Sequence, residues 1–401
     1  MMSSKRPHSF SRILSLALSL AISVGFLAPQ RSGAVIFYET SDPSANTSEP
    51  SGALAGSGWQ FEGTFGGVLG TPIAPAFFIT AHHVGMAGPS IIFRGVTYPL
   101  VKGFHDPTTD LTIWQVSGTF PEFAPPYTRR DETGKHLVVI GRGTQRGAEA
   151  FLGPDLKGWN WGLYDGVQRW GENTVASIED GGPTLGELLY STFDQNGLPN
   201  EAHLSSGDSG GAVFIADGGT WKLAGINYGV DDVFQSDGNG GYNRVVAALF
   251  DARGYYAYSG TPGIYTLITG TAPAPTGFYA TRISSRLAWI YSVIDPNGDA
   301  SGDGVPNLVK YALGLDPTVS SGSSITQPGM EPGYATITYN KLTTATDITY
   351  AVERTSDFMT WTTTSTIDEV VQTNGTIQTI KSKVALNNET QLFLRLRATR
   401  N

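Results

Sequence analysis

Short apolar runs separated by glycine-rich and polar turns set the rhythm of this chain. Phe77-Phe78-Ile79 leads into Thr80-Ala81-His82-His83-Val84; Asp110 opens the alternating run Leu111-Thr112-Ile113-Trp114-Gln115-Val116; Ala212-Val213-Phe214-Ile215 is uninterrupted. Runs of this length, rich in β-branched and aromatic residues and bounded by turn signals, predict strands that are buried or half-buried. From Ile325 onward the pattern changes to strict alternation, in Tyr334–Tyr339, Ile348–Glu353, Thr376–Ile380 and Leu392–Arg397. Period two on four successive segments predicts a small β-sandwich of about 75 residues. The longest apolar stretch, Ile13–Leu27, follows Lys5, Arg6 and Arg12 and precedes the small residues Ser32-Gly33-Ala34. That is the layout of a secretory signal over 1–34; the stretch is shorter than the roughly 20 residues a membrane span requires, and no later segment qualifies. The expected location is therefore outside the cytoplasm: secreted, periplasmic or at the cell surface.

Composition narrows the picture. Fifty glycines in 401 residues and 15% charged residues favour many short strands and turns over long amphipathic helices. A formal charge of −9 leaves no basic stripe to neutralise phosphates, so nucleic acid is excluded as a partner. There is no cysteine, which in an exported chain means cores held by burial and backbone pairing alone.

The stretch richest in chemistry is Ser206-Gly207-Asp208-Ser209-Gly210-Gly211. It places a hydroxyl nucleophile in a turn whose residues without side chains allow backbone amides to converge on one point, as an oxyanion requires. Gly207 and Ser209 are positioned to supply those amides. Serine is a poor nucleophile near neutral pH and needs an imidazole to remove its proton, with a carboxylate to orient that imidazole. Candidate partners stand at strand ends in His82 or His83 and in Asp110, although a histidine there is as readily a satisfied core residue and an aspartate as readily a turn residue.

Thr-Ala-x-His, Asp-Leu-x-Ile and Gly-Asp-Ser-Gly-Gly, in the chain order His, Asp, Ser, resemble the trypsin/chymotrypsin family of serine peptidases. Phe65-Gly66-Gly67-Val68-Leu69, Leu223–Gly229 and Phe278–Ile290 resemble that family's strand before the histidine loop, its cleft-lining strand, and its closing strand with C-terminal helix. The resemblance spans roughly residues 60 to 292. It implies two antiparallel six-stranded β-barrels with a C-terminal helix, followed by the small sandwich. It further implies His83 as general base, Asp110 as its orienter, Ser209 as nucleophile, and Gly207 with Ser209 as the oxyanion hole. His83 is preferred to His82 because the family motif has its histidine fourth after the threonine position. A specificity pocket would be lined by His203, Asn227, Tyr228 and Gly229. His203 stands where trypsin-like enzymes carry an aspartate, which disfavours cleavage after Lys or Arg and leaves two readings, a histidine that holds an acidic side chain or a passive wall. Val84 replaces the cysteine that normally follows the catalytic histidine. The chain between Gly229 and Phe278, with Asp231-Asp232 and Gly238-Asn239-Gly240-Gly241, is longer than usual. If signal cleavage follows Ala34, the new terminus Val35-Ile36 is placed by the resemblance to pair with Asp208.

The implied organisation is a signal at 1–34, a peptidase domain at 35–294, an Asp-rich, EF-hand-like connector and short helix at 295–318, and the sandwich at 319–401. The connector offers oxygen ligands in Asp295, Asn297, Asp299, Ser301, Asp303 and Asn307, with Gly304 at a sharp turn, which suits calcium. Lys310 falls where a bidentate glutamate belongs and the register from Asp295 ends at Pro306, so a hydrated turn capping the next helix is the alternative. Catalysis itself requires no cofactor. The expected function is a secreted serine endopeptidase acting on a protein or peptide substrate. The competing readings are a catalytically silent binding or adhesion protein on that scaffold, and an esterase with the same triad. A surface, a glycan or the peptidase domain itself are the candidate partners of the sandwich, in which Phe358 and Trp361 are expected in the core rather than as a sugar-stacking platform.

Overall fold

The computed structural model describes residues 35–401 apart from 232–233, 238–243, 260, 262, 323–324, 388 and 390, so the signal segment and the glycine run at 238–241 lie outside the described residues. The fold is mostly β. It divides into two compact units: the described chain up to Gly103 with Thr109–Ile283, and Phe104–Thr108 with Ser284–Asn401.

In the first unit the strands Gly63–Phe65, Val68–Ala74, Phe77–Ala81, Leu111–Val116, Val96–His105 and Ser90–Phe93 close into a six-stranded barrel. Alternation along these strands turns Phe65, Phe78, Ile91, Phe93 and Val116 inward as one cluster. The second half is a seven-stranded antiparallel sheet in the order Arg169–Thr174, His136–Gly141, Ala212–Asp217, Thr220–Val230, Gly277–Arg282, Glu187–Thr192, Ser177–Asp180. Its core gathers Leu137, Val139, Val213, Ile215, Phe278 and Ala280. Without disulfides, the unit is tied by this burial and by ion pairs such as the Arg282 guanidinium, which donates to the buried Glu132 and to Glu187. The long segment after Gly229 carries its own sheet of Phe234–Gln235, Arg244–Val245, Tyr256–Tyr258 and Tyr265–Leu267, while Ala247–Leu249 joins the hairpin strand Asp155–Tyr164. At the other end, Ile36–Phe37 pairs with Ala202–His203.

In the second unit a helix stands at Leu287–Ile294, and its neighbour Arg286 makes a bidentate pair with the buried carboxylate of Asp106 at 2.6 and 2.8 Å. The helix therefore groups with the second unit and not with the first, where the boundary at residue 294 would have put it. The sandwich follows, with sheets of Thr326–Glu331, Tyr334–Leu342, Ile377–Ala385 and Ile367–Asn374 against Thr362–Thr363, Ile348–Thr355 and Phe393–Arg400. Ile337, Tyr339, Val352, Ile380 and Val384 fill it, joined by Leu313 from the helix Asn307–Leu313. Phe358 departs from expectation: it sits on a turn with 59% of its surface exposed, packed on Phe393, because a positive φ of 60° turns the chain out of the strand. Trp361 is only partly covered, by the Arg395 guanidinium 4.1 Å above its ring.

The connector also differs from a metal loop. Its carboxylates are answered internally: Asp299 accepts the amides of Gly302 and Gly304, and Asp303 accepts the Ser321 amide and hydroxyl, the Val305 amide and the Lys310 ammonium at 3.0 Å. Lys310, fully buried, also donates to Ser301 and to the Val319 carbonyl. Asn307 caps the turn through the Ala300 amide and the Asp295 carbonyl, while the side chains of Asp295 and Asn297 stay exposed. Among the described residues no group of three or more His, Cys, Asp or Glu side chains is arranged for a metal ion. In this arrangement the connector's carboxylates Asp299 and Asp303 are occupied by their own loop's amides, by Ser321 and by the Lys310 ammonium.

Candidate active site

Strand register brings the acid to the base. Phe77–Ala81 pairs with Leu111–Val116 such that Ala81 faces Leu111, which sets the next residue of one strand beside the preceding residue of the other. The His82 amide accordingly donates to the Asp110 carbonyl at 2.9 Å. A single turn of 3-10 helix, His82–Val84, then presents His83 to the same side chain. The His83 amide donates to Asp110 Oδ1 at 2.8 Å, and its Nδ1 lies 2.6 Å from Oδ2. Asp110 is 6% exposed, so these bonds satisfy a carboxylate nearly withdrawn from water. Across the barrel mouth, His83 Nε2 stands 2.7 Å from Ser209 Oγ. His82 turns away, with its Nδ1 3.1 Å from the Thr112 hydroxyl.

The loop that carries Ser209 is fixed by a carboxylate beneath it. Asp208 is 1% exposed and accepts the Gly143 amide at 2.7 Å, the Ser205 amide at 2.8 Å, the Ser205 hydroxyl at 3.0 Å and the Val35 amide. Burial nevertheless pushes its pKa up to about 6, with the surrounding donors pulling against that rise. Two glycines hold the turn in shape. Gly207 has φ +96°, and a Cβ there would lie 3.0 Å from the Gly143 Cα and 3.2 Å from the Tyr164 ring; at Gly210, φ +81°, a Cβ would lie 2.2 Å from the Thr80 hydroxyl. The amides of Gly207 and Ser209 have no acceptor among the described residues. Two adjacent donors left unanswered beside a hydroxyl hydrogen-bonded to an imidazole can stabilise a developing oxyanion.

The four pocket candidates do not act alike. Asn227 is buried under the loop, donating from its amide nitrogen to the carbonyls of Ile140 at 2.9 Å and Asp208 at 3.0 Å, so it clamps the turn rather than lining a cleft. Tyr228 sets its ring edge-on to His83 with centroids 5.8 Å apart, and burial followed by the Asp110 charge raises its hydroxyl pKa. At Gly229 a side chain would meet open space. His203 is fully buried against Phe193 and Phe278, with Nδ1 2.6 Å from the Leu204 carbonyl and Nε2 3.3 Å from the Thr276 hydroxyl. Burial drives its pKa down to about 4, so at neutral pH it is an uncharged, enclosed ring with no reach to an acidic ligand.

Sequence reasoning missed two supports of this site. Gly141 and Gly143 approach Asp208 so closely that a Cβ on Gly141 would lie 2.1 Å from its Oδ1. Tyr164 lies over Gly207 and donates its hydroxyl to the Gly67 carbonyl at 2.6 Å. The glycine pair at the end of the apolar run Leu137–Ile140 was the available signal for the first; the second depends on a hairpin returning from elsewhere.

No family model matches the chain, and no curated protein matches it. Solved structures similar to it include neuropsin, a serine protease of mouse brain (TM-score 0.37, 13% identity, 60% of this chain and 96% of that one). Kallikrein-related peptidase 10 gives 0.35, 14%, 60% and 98%, and the Rv3671c protease of M. tuberculosis in its inactive form gives 0.33, 16%, 61% and 98%. At these scores the functional reading rests on the geometry of the site.

Proposed function

We propose that this chain is a serine endopeptidase working through an acyl-enzyme on Ser209. One observation carries the reading: a continuous line from Asp110 through His83 to Ser209, with steps of 2.6 and 2.7 Å, ends beside two amides with no acceptor. Ser209 Oγ attacks the carbonyl carbon of a peptide bond while its proton passes to His83 Nε2. The carbonyl oxygen takes the negative charge and accepts the amides of Gly207 and Ser209. Asp110 fixes the imidazole tautomer and stabilises the imidazolium, which then protonates the departing amine as the C–N bond breaks. Water, deprotonated by the same imidazole, attacks the ester carbon and restores the serine. Each interaction strengthens as charge develops, which is where stabilisation lowers a barrier.

Export and maturation belong to the same proposal. The apolar stretch Ile13–Leu27, preceded by Lys5, Arg6 and Arg12, supports a secreted or cell-surface location. Cleavage after Ala34 would free the amine of Val35, whose nitrogen already bonds to the buried Asp208. Val35 is β-branched and held at φ +60°, a conformation that side chain disfavours, so cutting the bond before it would release strain as well as add a cation beside a carboxylate that has none among the described residues.

The test is Ser209→Ala. Hydrolysis of casein or of a fluorogenic peptide library should fall by about 10⁵-fold with an unchanged melting curve, and labelling by a fluorophosphonate probe should vanish. Normal turnover in that variant, or an intact protein that neither cleaves peptides nor reacts with the probe, would overturn the proposal in favour of a silent binding scaffold. Turnover of simple esters without peptides would identify an esterase.

A further inference from the structure

One end of the sandwich of the second unit carries an open groove of about 440 Å³. Strand register explains it. Tyr334–Leu342 pairs with Ile377–Ala385 so that Tyr339 faces Ile380 and Lys341 faces Gln378. Period two puts Lys341 on the same side as Ile337 and Tyr339, and Gln378 on the same side as Ile380 and Ser382. Ile337, Tyr339 and Ile380 pack in the core; Lys341 and Gln378 follow them along the same face into the groove. The edge strand Ile367–Asn374 adds Asp368 and Val370 to the rim, and Ile348, Thr349 and Tyr350 come from the facing sheet.

The polar groups there are underused. Among the described residues the side-chain amide of Gln378 has no hydrogen-bond partner, and the Lys341 ammonium has only the Tyr350 ring, 5.1 Å away. Asp368 Oδ1 accepts the Ser382 hydroxyl at 2.7 Å, which leaves Oδ2 unanswered. Around them lie Ile380, Ile348, the half-exposed Val370 and the side of the Tyr350 ring, whose own hydroxyl is committed to the Ala312 carbonyl at 2.6 Å.

We propose that this groove binds one or two pyranose rings of a neutral glycan. A sugar presents apolar C–H faces and hydroxyls that both donate and accept, which matches apolar walls bearing an amide, an ammonium and a carboxylate oxygen. An anionic ligand would meet Asp368 and a cationic one Lys341, while a wholly apolar ligand would strand all three groups away from water. The volume falls in the range of small-ligand sites. A peptide adding to the open edge of Ile367–Asn374 would engage backbone outside the groove, at a different place. Nothing in the inference depends on the peptidase reading.

The test uses full-length protein carrying Ser209→Ala to prevent self-cleavage, titrated by calorimetry with cellobiose, maltose and N,N′-diacetylchitobiose. At least one should bind with a Kd of about 1 mM or tighter. Gln378→Ala should weaken that binding about tenfold by removing a donor and acceptor, and Val370→Trp, on an exposed position that tolerates bulk, should abolish it by filling the space. The melting temperature reports folding of each variant. Absence of binding by all three disaccharides, or binding that survives Val370→Trp in a folded protein, overturns the proposal.

Discussion

Two loops of this protein are written in nearly the same residues and end in opposite conditions. Ser205–Gly211 and the start of Asp299–Asn307, up to Gly304, are both short runs dominated by glycine, serine and aspartate. In the first, the buried carboxylate of Asp208 takes two donors from its own loop, the Ser205 amide and hydroxyl, and two from the scaffold outside it, Gly143 and Val35, while the amides of Gly207 and Ser209 keep no acceptor among the described residues. In the second, the carboxylates bond to their own loop's amides, to Ser321 and to a buried lysine, and its donors are spent on its own fold. Composition alone does not make a reactive loop. What matters is whether the scaffold beneath satisfies the acid, because only then are the peptide groups above it left for a ligand.

The comparison breaks most sharply at glycine. Gly207→Ala should lower kcat by about 100-fold or more, because the new methyl meets Gly143 and Tyr164 while φ +96° is disfavoured and the oxyanion donors are displaced. Gly304→Ala, at φ +83° but with open space around it, should leave kcat unchanged and cost only about 1 kcal/mol of stability. Steady-state kinetics on both variants decides; equal losses would mean that the loops do not differ as described.

Acidity is the next lever. The folded-state pKa of Asp208 lies above its unfolded value, so its neutral form is the favoured one, and stability falls as pH rises from about 4 to about 6. The span corresponds to on the order of 2–3 kcal/mol. Asp303, whose pKa is lowered chiefly by the Ser321 hydroxyl and amide with Lys310 adding to them, runs the other way: its contribution is present above the unfolded carboxylate value and is lost below it. Unfolding by urea across pH 3 to 7 should show the first slope, Asp208→Asn should flatten it, and a chain beginning at a free Val35 should reverse it. A slope unaffected by Asp208→Asn would refute the assignment.

A smaller effect is expected at Lys310. Lys310→Met should lower the melting temperature of the second unit by several degrees without changing kcat, since Asp303 and Ser301 lose their internal cation. In the parent protein neither calcium nor a chelator should move that transition, because the ammonium already supplies the positive charge; a calcium-dependent rise would show that the loop rearranges to admit the ion.

The site was largely legible in the chain because each of its parts is announced locally. A strand ending in Ala81-His82-His83, an acid opening Leu111–Val116 and a glycine turn before Ala212 each advertise their geometry within a few residues. What escaped reading is non-local. That Lys310 falls where a bidentate ligand would belong is visible from its position, but that it buries itself among Ser301, Asp303 and the Val319 carbonyl depends on the turn folding back. The pairing of Arg286 with Asp106 joins residues far apart in the chain, so no boundary drawn along the sequence could have placed Phe104–Thr108 with the second unit. His203 was named from its spacing to Ser209, yet spacing carries nothing about enclosure, and Phe193 with Thr276 decides its fate. Phe358 was misplaced because hydrophobicity is blind to the sign of φ.

The pairing of Ile36–Phe37 with Ala202–His203 bears on how the molecule comes into being. The earliest described strand has no partner until about two-thirds of the first unit has been synthesised, and closing so large a loop is entropically slow. A nascent chain halfway through translation therefore carries His83 and Asp110 but neither the nucleophile nor the strand that secures its turn. On the proposed function, the order of synthesis by itself would keep the growing polypeptide from cleaving its neighbours.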